Sequence, residues 1–156
     1  MYLQTILIDL LIERMIALKI RELMSRDVRT VSSDTTLKDA ANIMSAIDIG
    51  SIPVLDNNEL VGIVTDRDIV LRAVAKGQDP NQKISNVMTK DPKTVSSDTE
   101  VHEAANIMAK GQIRRLPVVD EGNLVGIVAI GDLAVEGKYE DEAGEALHDI
   151  SKNTLS

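Results

Sequence analysis

Thr65, Asp66, Arg67 and Asp68 follow directly on the apolar run from Leu60 to Val64, and their types and spacing suit two kinds of work. A threonine with an acid three residues later fits a capping box, in which each side chain accepts the other residue's backbone N–H at a helix start. The same cluster also suits a polar ligand site. The stretch is echoed at Leu124–Leu133, where "LVGIV" returns unchanged, Ala129 replaces Thr65, and Asp132 stands in the place of Asp68. An acid in a first helical turn gains about 0.3–1 kcal/mol from the helix dipole, so the retained aspartate fits both readings.

A second candidate is the adjacent pair Arg114–Arg115, set where the earlier stretch has Gly50–Ser51. In an acidic protein such arginines make surface or interface ion pairs, or they collect an anion. Side chains alternate faces along a strand, so one of the two points into any given cleft. Other chemistry is thinly provided for. There is no cysteine, no Gly-rich phosphate loop, no His-x-x-x-His and no nucleophile motif. Asp66 and Asp68 are splayed apart by a helix start, and His102 and His148 read as exposed helix or tail residues. The chain reads as a non-enzyme without a metal site.

Composition narrows the class further. The chain has 156 residues, 44% of them apolar and 27% charged, which suits one ordinary soluble domain or two small ones sharing a core. A net charge of −8 opposes nonspecific attraction to nucleic acid, and with no Phe or Trp there are no platforms to stack unpaired bases. The absence of cysteine makes the cytoplasm the expected compartment. The apolar run Ile6–Ile12 falls well short of the roughly 20 residues that span a bilayer, and it lacks the basic flank of a signal peptide. It reads as an N-terminal amphipathic helix over residues 1–19, with Leu3, Leu7, Leu10, Leu11 and Ile12 on a broad apolar face. Met15 offers an alternative start.

The elements that must position these residues come from an internal repeat. Residues 20–69 and 84–133 are identical at 24 of 50 positions at a constant shift of 64, without a gap. Within a repeat, "VRTVS" (Val28–Ser32) predicts a strand. Asp34 or Thr35 then offers an N-cap before Leu37, Ala40, Ala41, Ile43, Met44 and Ile47 at helical spacing. "SIPVLD" and "LVGIVT" around "NNE" predict a β-hairpin. From Asp66 to Gln78 helical spacing resumes, with Gly77 as C-cap. The unit is β-α-β-β-α, a three-stranded sheet with helices on one face. The recurring Met24, Met44, Met88 and Met108 read as core. The expected organisation is an α+β chain: repeat 1 over 20–76, a polar linker over 77–83, repeat 2 over 84–137, and an acidic tail over 138–156 that forms at most a marginal helix.

The patterns "V-T-V-S-x-D-T", "A-A-x-x-M", "I-P-V" or "L-P-V", and "L-V-G-I-V-T-x-x-D" resemble the cystathionine-β-synthase (CBS) domain, and both repeats match along their length. The resemblance implies a stand-alone pair of CBS repeats packed sheet to sheet about a pseudo-twofold axis, with two equivalent clefts that each draw on both repeats. It implies regulatory binding of an adenosine-containing ligand such as AMP, ADP, ATP, S-adenosylmethionine, NAD or a cyclic dinucleotide, with or without Mg2+, and no obligatory cofactor. In the family's Thr/Ser-x-x-Asp motif the aspartate receives ribose hydroxyls and the threonine assists at ribose or phosphate, which here are Thr65 and Asp68, with Arg67 between them. Phosphate contacts are implied for Arg114 and Arg115, with Ile113, Thr89 and Lys93 nearby. The second, weaker cleft would have Gly50, Ser51 and Asp132. Adenine would lie among aliphatic groups such as Ile52, Val54 and Ile113. The expected assembly is a homodimer built through the helices into a flat disc, acting on a regulated protein. The alternative is a structural adaptor whose clefts are vestigial and whose N-terminal helix recruits a partner.

Overall fold

Asn57 and Asn58 both adopt the left-handed conformation (φ 51° and 64°), which asparagine tolerates better than most residues. They form the two-residue loop between β1 (Ser51–Asp56) and β2 (Glu59–Thr65), which pair antiparallel from Ser51↔Thr65 to Asp56↔Glu59. In the second repeat Glu121 and Gly122 (φ 50° and 79°) do the same between β4 (Arg115–Asp120) and β5 (Asn123–Ala129). Positive φ at both loop residues matches the right-handed twist of the strands, so both hairpins form as the sequence predicts. The computed structural model describes residues 1–16, 18–135 and 150.

The helices are α1 (Tyr2–Ile16), α2 (Leu37–Ile47), α3 (Asp66–Arg72), α4 (Val101–Gly111) and α5 (Ile130–Val135). In α2 the buried residues are Leu37, Ala40 and Met44, and in α4 they are Val101, Ala104, Ala105 and Met108, the helical spacing that drives one face into a core. The N-cap of α2 is Thr36, whose hydroxyl accepts the N–H of Asp39, rather than Asp34 or Thr35. Those two lie in the turn before it, where Thr35 donates its N–H to the Ser32 carbonyl. Helix α3 stops at Arg72, and Gly77 closes a short 3-10 turn over Val74–Lys76 in the left-handed conformation.

The expected strand over Val28–Ser32 does not form. Only Val31 pairs, in a parallel bridge to Val54, donating to the Pro53 carbonyl at 3.2 Å and accepting from the Leu55 N–H at 2.8 Å. Continuing toward Arg29 would require an N–H from Pro53, which has none. On the other side, Asp56 Oδ1 takes the Ser33 N–H at 3.0 Å. The second repeat repeats this limit: Val95 bridges Val118, bonding Pro117 and Val119, and Ser97 is held by Asp120.

The third strand comes instead from outside the repeat. β3 (Thr89–Lys90) pairs with β2 through Gly62↔Lys90 and Ile63↔Thr89, giving the order β1-β2-β3. Thr89, implied by the resemblance as lying near Arg114 and Arg115, is thus an edge residue of the first repeat's sheet. The segment leading to it is a strap laid on the first repeat: Ile84 donates to the Thr35 carbonyl at 2.8 Å, and Leu37 and Lys38 at the start of α2 donate to the Gln82 and Pro80 carbonyls. The strap buries Ile84 and Val87 completely or nearly so, worth about 1.5–3 kcal/mol each. The relation is reciprocal. Ile20 donates to Thr99, Val101 donates to Leu18, and Ser25 bridges Ile127, so the segment that opens the first repeat straps the second.

The chain accordingly divides into two compact units that cut across the sequence repeats. One holds Asp27–Lys93 with Glu121–Leu124; the other holds the described residues of Met1–Arg26, Thr94–Asp120 and Val125–Ser156. We call them the α2 unit and the α4 unit. Each has its own core, Ile52, Val54, Val64, Ile69 and Ile84 with α2 in one, Ile20, Leu116, Val118, Val128 and Leu133 with α4 in the other. Met24, Met44 and Met108 are buried and Met88 packs on the α2 core, as the repeat predicts.

Helix α1 forms, with Leu3, Leu7 and Leu10 exposed. Ile8 and Ile12 are exposed as well, and at 100° per residue they stand on the side opposite Leu3, so apolar surface extends beyond one face. Among the described residues no helix is long and apolar enough to cross a membrane. His102 is exposed on α4, while His148 lies outside the described residues, as does the tail over 138–156 apart from Ile150, which is helical and buried.

Candidate functional site

The β2–α3 junction forms the capping box that its sequence suggests. Thr65 Oγ1 accepts the Asp68 N–H at 3.0 Å, and Asp68 Oδ2 accepts the Thr65 N–H at 3.0 Å. In the second repeat, Asp132 Oδ2 accepts the Ala129 N–H at 2.7 Å, so half of the box persists without the hydroxyl. That half-box gives Asp132 a structural reason to be retained. Capping does not use up the carboxylate, whose two oxygens can accept about four hydrogen bonds. The capping reading of Thr65 and Asp68 is thus observed, and the box leaves acceptor capacity on the carboxylate.

Arg72 adds a partner that the motif alone does not show. Its Nε lies 3.7 Å from Asp68 Oδ1, and its Nη1 donates to the Val87 carbonyl at 2.8 Å. The spacing is i, i+4 with the acid N-terminal, the favoured orientation on a helix, and this is the signal that could have found it. Asp68 is 14% exposed and Arg72 48%, so the carboxylate is the screened member of the pair. At the equivalent position the second repeat has Glu136.

Within the α2 unit the fold brings Gly50 and Ser51 to this junction: Ser51 pairs with Thr65, and the Gly50 carbonyl accepts the Asp66 N–H at 3.0 Å. A Cβ on Gly50 would stand 3.3 Å from Asp66 Oδ2, the end of an exposed side chain. Asp66 Oδ1 in turn takes the Arg67 N–H at 2.8 Å, and the Arg67 side chain is exposed. Within the α4 unit the Arg114 carbonyl accepts the Ile130 N–H at 2.8 Å, which sets Arg114 and Arg115, both exposed, beside the Ala129–Asp132 turn. Ile113 is half-buried against the α4 core. Thr89 and Lys93 are exposed and belong to the α2 unit.

One expectation fails outright. Ile52 and Val54 are fully buried, because β1 is covered on both edges by β2 and the Val31 bridge and carries core side chains. They offer no surface for an adenine ring.

Two further carboxylates form a repeated feature that the sequence reading overlooked. Asp56 and Asp120, one repeat apart, each take the N–H of a serine, and Ser97 Oγ also donates to Asp120 Oδ2 at 2.5 Å. The Ser33 hydroxyl and then its backbone N–H hold Asp56 below the usual carboxylate range, and Ser97 does the same for Asp120, helped by the charges of Arg21 and Arg26. These aspartates pin the loop that replaces the missing strand. Among the described residues no group of three His, Asp or Glu side chains is placed to hold a metal ion.

Comparison with known proteins agrees with this geometry. The sequence profile of the CBS domain matches residues 20–74 and 84–137. The CBS domain-containing protein YhcV of Bacillus subtilis is 42% identical over 136 residues, covering 87% of this chain and 97% of YhcV. Among solved structures, Hypoxic Response Protein I with two coordinated zinc ions is 37% identical with a TM-score of 0.70, covering 76% of this chain and 98% of that one. The CBS domain pair of protein MJ0100, in complex with 5′-methylthioadenosine and S-adenosyl-L-methionine, is 30% identical with a TM-score of 0.71, covering 78% and 96%. With two matched repeats, the alternating hairpins and helices, and relatives spanned nearly end to end, this chain belongs to the CBS domain family.

Proposed function

We propose that the chain is a non-enzymatic regulatory module that binds an adenosine-containing ligand, AMP, ADP or ATP, and passes its occupancy to a partner protein. The observation that carries the reading is the Thr65–Asp68 box: the carboxylate is fixed in place yet keeps acceptor capacity for ribose hydroxyls. The adenosine moiety common to both ligands of the MJ0100 pair supports the class. As candidate contacts we assign Arg114 or Arg115 to phosphate, with Ile113, Thr89 and Lys93 as further contacts, and Asp132 to a weaker site. A homodimer is part of the proposal, supported by Ile47, Val70, Leu71 and Val74, large apolar residues left exposed on the helical side of the α2 unit.

Isothermal titration with ATP, ADP, AMP, NADH and S-adenosylmethionine, with and without Mg2+, tests the reading. We expect one tight site, lost in Asp68→Ala and retained in Asp132→Ala. No heat and no thermal shift from any of the five, with the protein shown to be folded, would overturn it, and equal losses in the two variants would overturn the asymmetry. Hydrolysis of ATP would overturn the non-enzymatic part. The adaptor reading is favoured by one observation, the exposure of Leu3, Leu7, Leu10 and Ile12 along α1.

A further inference from the structure

Asp68 belongs to a chain of contacts that runs from the β2–α3 turn to the strap. Its Oδ2 holds the Thr65 N–H, its Oδ1 faces Arg72 Nε at 3.7 Å, and Arg72 Nη1 holds the Val87 carbonyl at 2.8 Å. Val87 lies in the strap, between Ile84, anchored to Thr35, and Thr89, paired with Ile63. Six residues beyond Val87 the main segment of the α2 unit ends at Lys93, and the chain passes at Thr94 into the α4 unit. Arg72 is the side chain in this series that joins helix α3 to the strap, and a planar guanidinium is suited to such a bridge where an ammonium is not.

We propose that Arg72 is a positioning residue that couples the Thr65–Asp68 turn to the strap. The docked strap fixes the guanidinium, the guanidinium fixes the Asp68 carboxylate, and whatever steadies Asp68 steadies the strap in return, because such coupling is reciprocal. A ligand seated on Asp68 thereby tightens the segment that leads into the α4 unit. This last step rests on the adenosine reading above; the Asp68–Arg72–Val87 coupling does not. The second repeat, with Glu136 in place of Arg72, serves as an internal control.

Amide hydrogen exchange on the full chain tests both steps. The reporters are Ile84 N–H, bonded to Thr35, and Asp91 N–H, bonded to Val61, with Ile127 N–H, bonded to Ser25, as a control in the α4 unit. Without ligand, Asp68→Asn keeps a cap acceptor but loses the charge, and it should raise exchange at Ile84 and Asp91 roughly two- to fivefold, the scale of a partly exposed ion pair. Arg72→Gln should raise it at least as much, the double variant no more than Arg72→Gln alone, and Arg72→Lys by an intermediate amount. Asp132→Asn should leave exchange at Ile20, the strap amide bonded to Thr99, unchanged.

Unchanged exchange in Asp68→Asn, or strictly multiplicative effects in the double variant, would overturn the coupling; a rise that appears equally at Ile127 would show general destabilisation and overturn it too. With ATP or AMP bound, exchange at Ile84 and Asp91 should fall in the wild type and not in Arg72→Gln, and equal protection in both would overturn the ligand step. If neither nucleotide binds the wild type, the adenosine reading fails, while the ligand-free measurements still decide the coupling.

Discussion

Met88 lies where a side chain on Gly62 would have to be: its Sδ is 2.7 Å, and the Thr89 carbonyl 2.9 Å, from the position of a Cβ at that glycine. Met24 and Ser25 stand in the same relation to Gly126. These two glycines let the straps lie flat on β2 and β5. We expect Gly62→Ala to lift the α2 strap and cost about 1–3 kcal/mol, the usual range for overpacking, as read by urea unfolding. Adding Met88→Ala should recover only part of the loss, since it removes the sulfur but leaves the Thr89 carbonyl. Full recovery would mean that the carbonyl contact carries no cost.

Acid should weaken the pair of loops held by Asp56 and Asp120. Both carboxyls titrate below the ordinary range in the folded chain, chiefly because serine hydroxyls and then serine N–H groups donate to them. A depressed folded pKa means stabilisation that is complete above the unfolded value of about pH 4 and is lost as pH falls toward the folded value. Asp56→Asn and Asp120→Asn should therefore each flatten the fall in stability below about pH 4. Thermal melts between neutral and acid pH will show whether the slopes of variant and wild type differ; identical slopes would remove these groups from the acid response.

The two caps should differ in what their loss costs. Thr65→Ala removes the hydroxyl that accepts the Asp68 N–H, for about 0.5–2 kcal/mol, whereas the second repeat already has Ala129 there. The reverse change, Ala129→Thr, should stabilise the α4 unit by completing its half-box. Chemical denaturation of the two variants tests the pair of expectations together, and a destabilising Ala129→Thr would show that the second turn has no room for the hydroxyl.

Removal of residues 1–17 separates the regulatory reading from the adaptor reading. The strap residues Ile20 and Met24 remain, and they are the ones buried in the α4 core. Nucleotide affinity by titration should stay within about twofold of the wild type, less than half a kcal/mol. A large loss would place α1 in the binding function.

Much of the local structure is legible in the sequence because its causes are local. Asn57–Asn58 and Glu121–Gly122 announce tight turns, Leu37, Ala40 and Met44 announce a helix face, and Thr65 with Asp68 announces a box. The exchange of straps is not legible, for a plain reason: a segment that packs on its own repeat and one that packs on the other give the same shift of 64. The pairing limit at Val28–Ser32 depends on Pro53 and Asp56, more than twenty residues away, so β-branched residues alone misled. Arg72 was readable as an i, i+4 partner of Asp68, but its hold on Val87 was not, because that contact exists only once the strap is in place.

The exchanged straps also order events during synthesis. The α2 unit draws its main segment from the continuous stretch Asp27–Lys93, whereas Ile20 and Met24 have no core to join until residues near Leu133 have been made. At roughly 5–20 residues per second the stretch around Ile20 and Met24 waits on the order of ten seconds, with the apolar helix α1 preceding it, for core partners that lie as far on as Leu133. The stretch around Ile20 and Met24 is thus completed only by residues made after the main segment of the α2 unit.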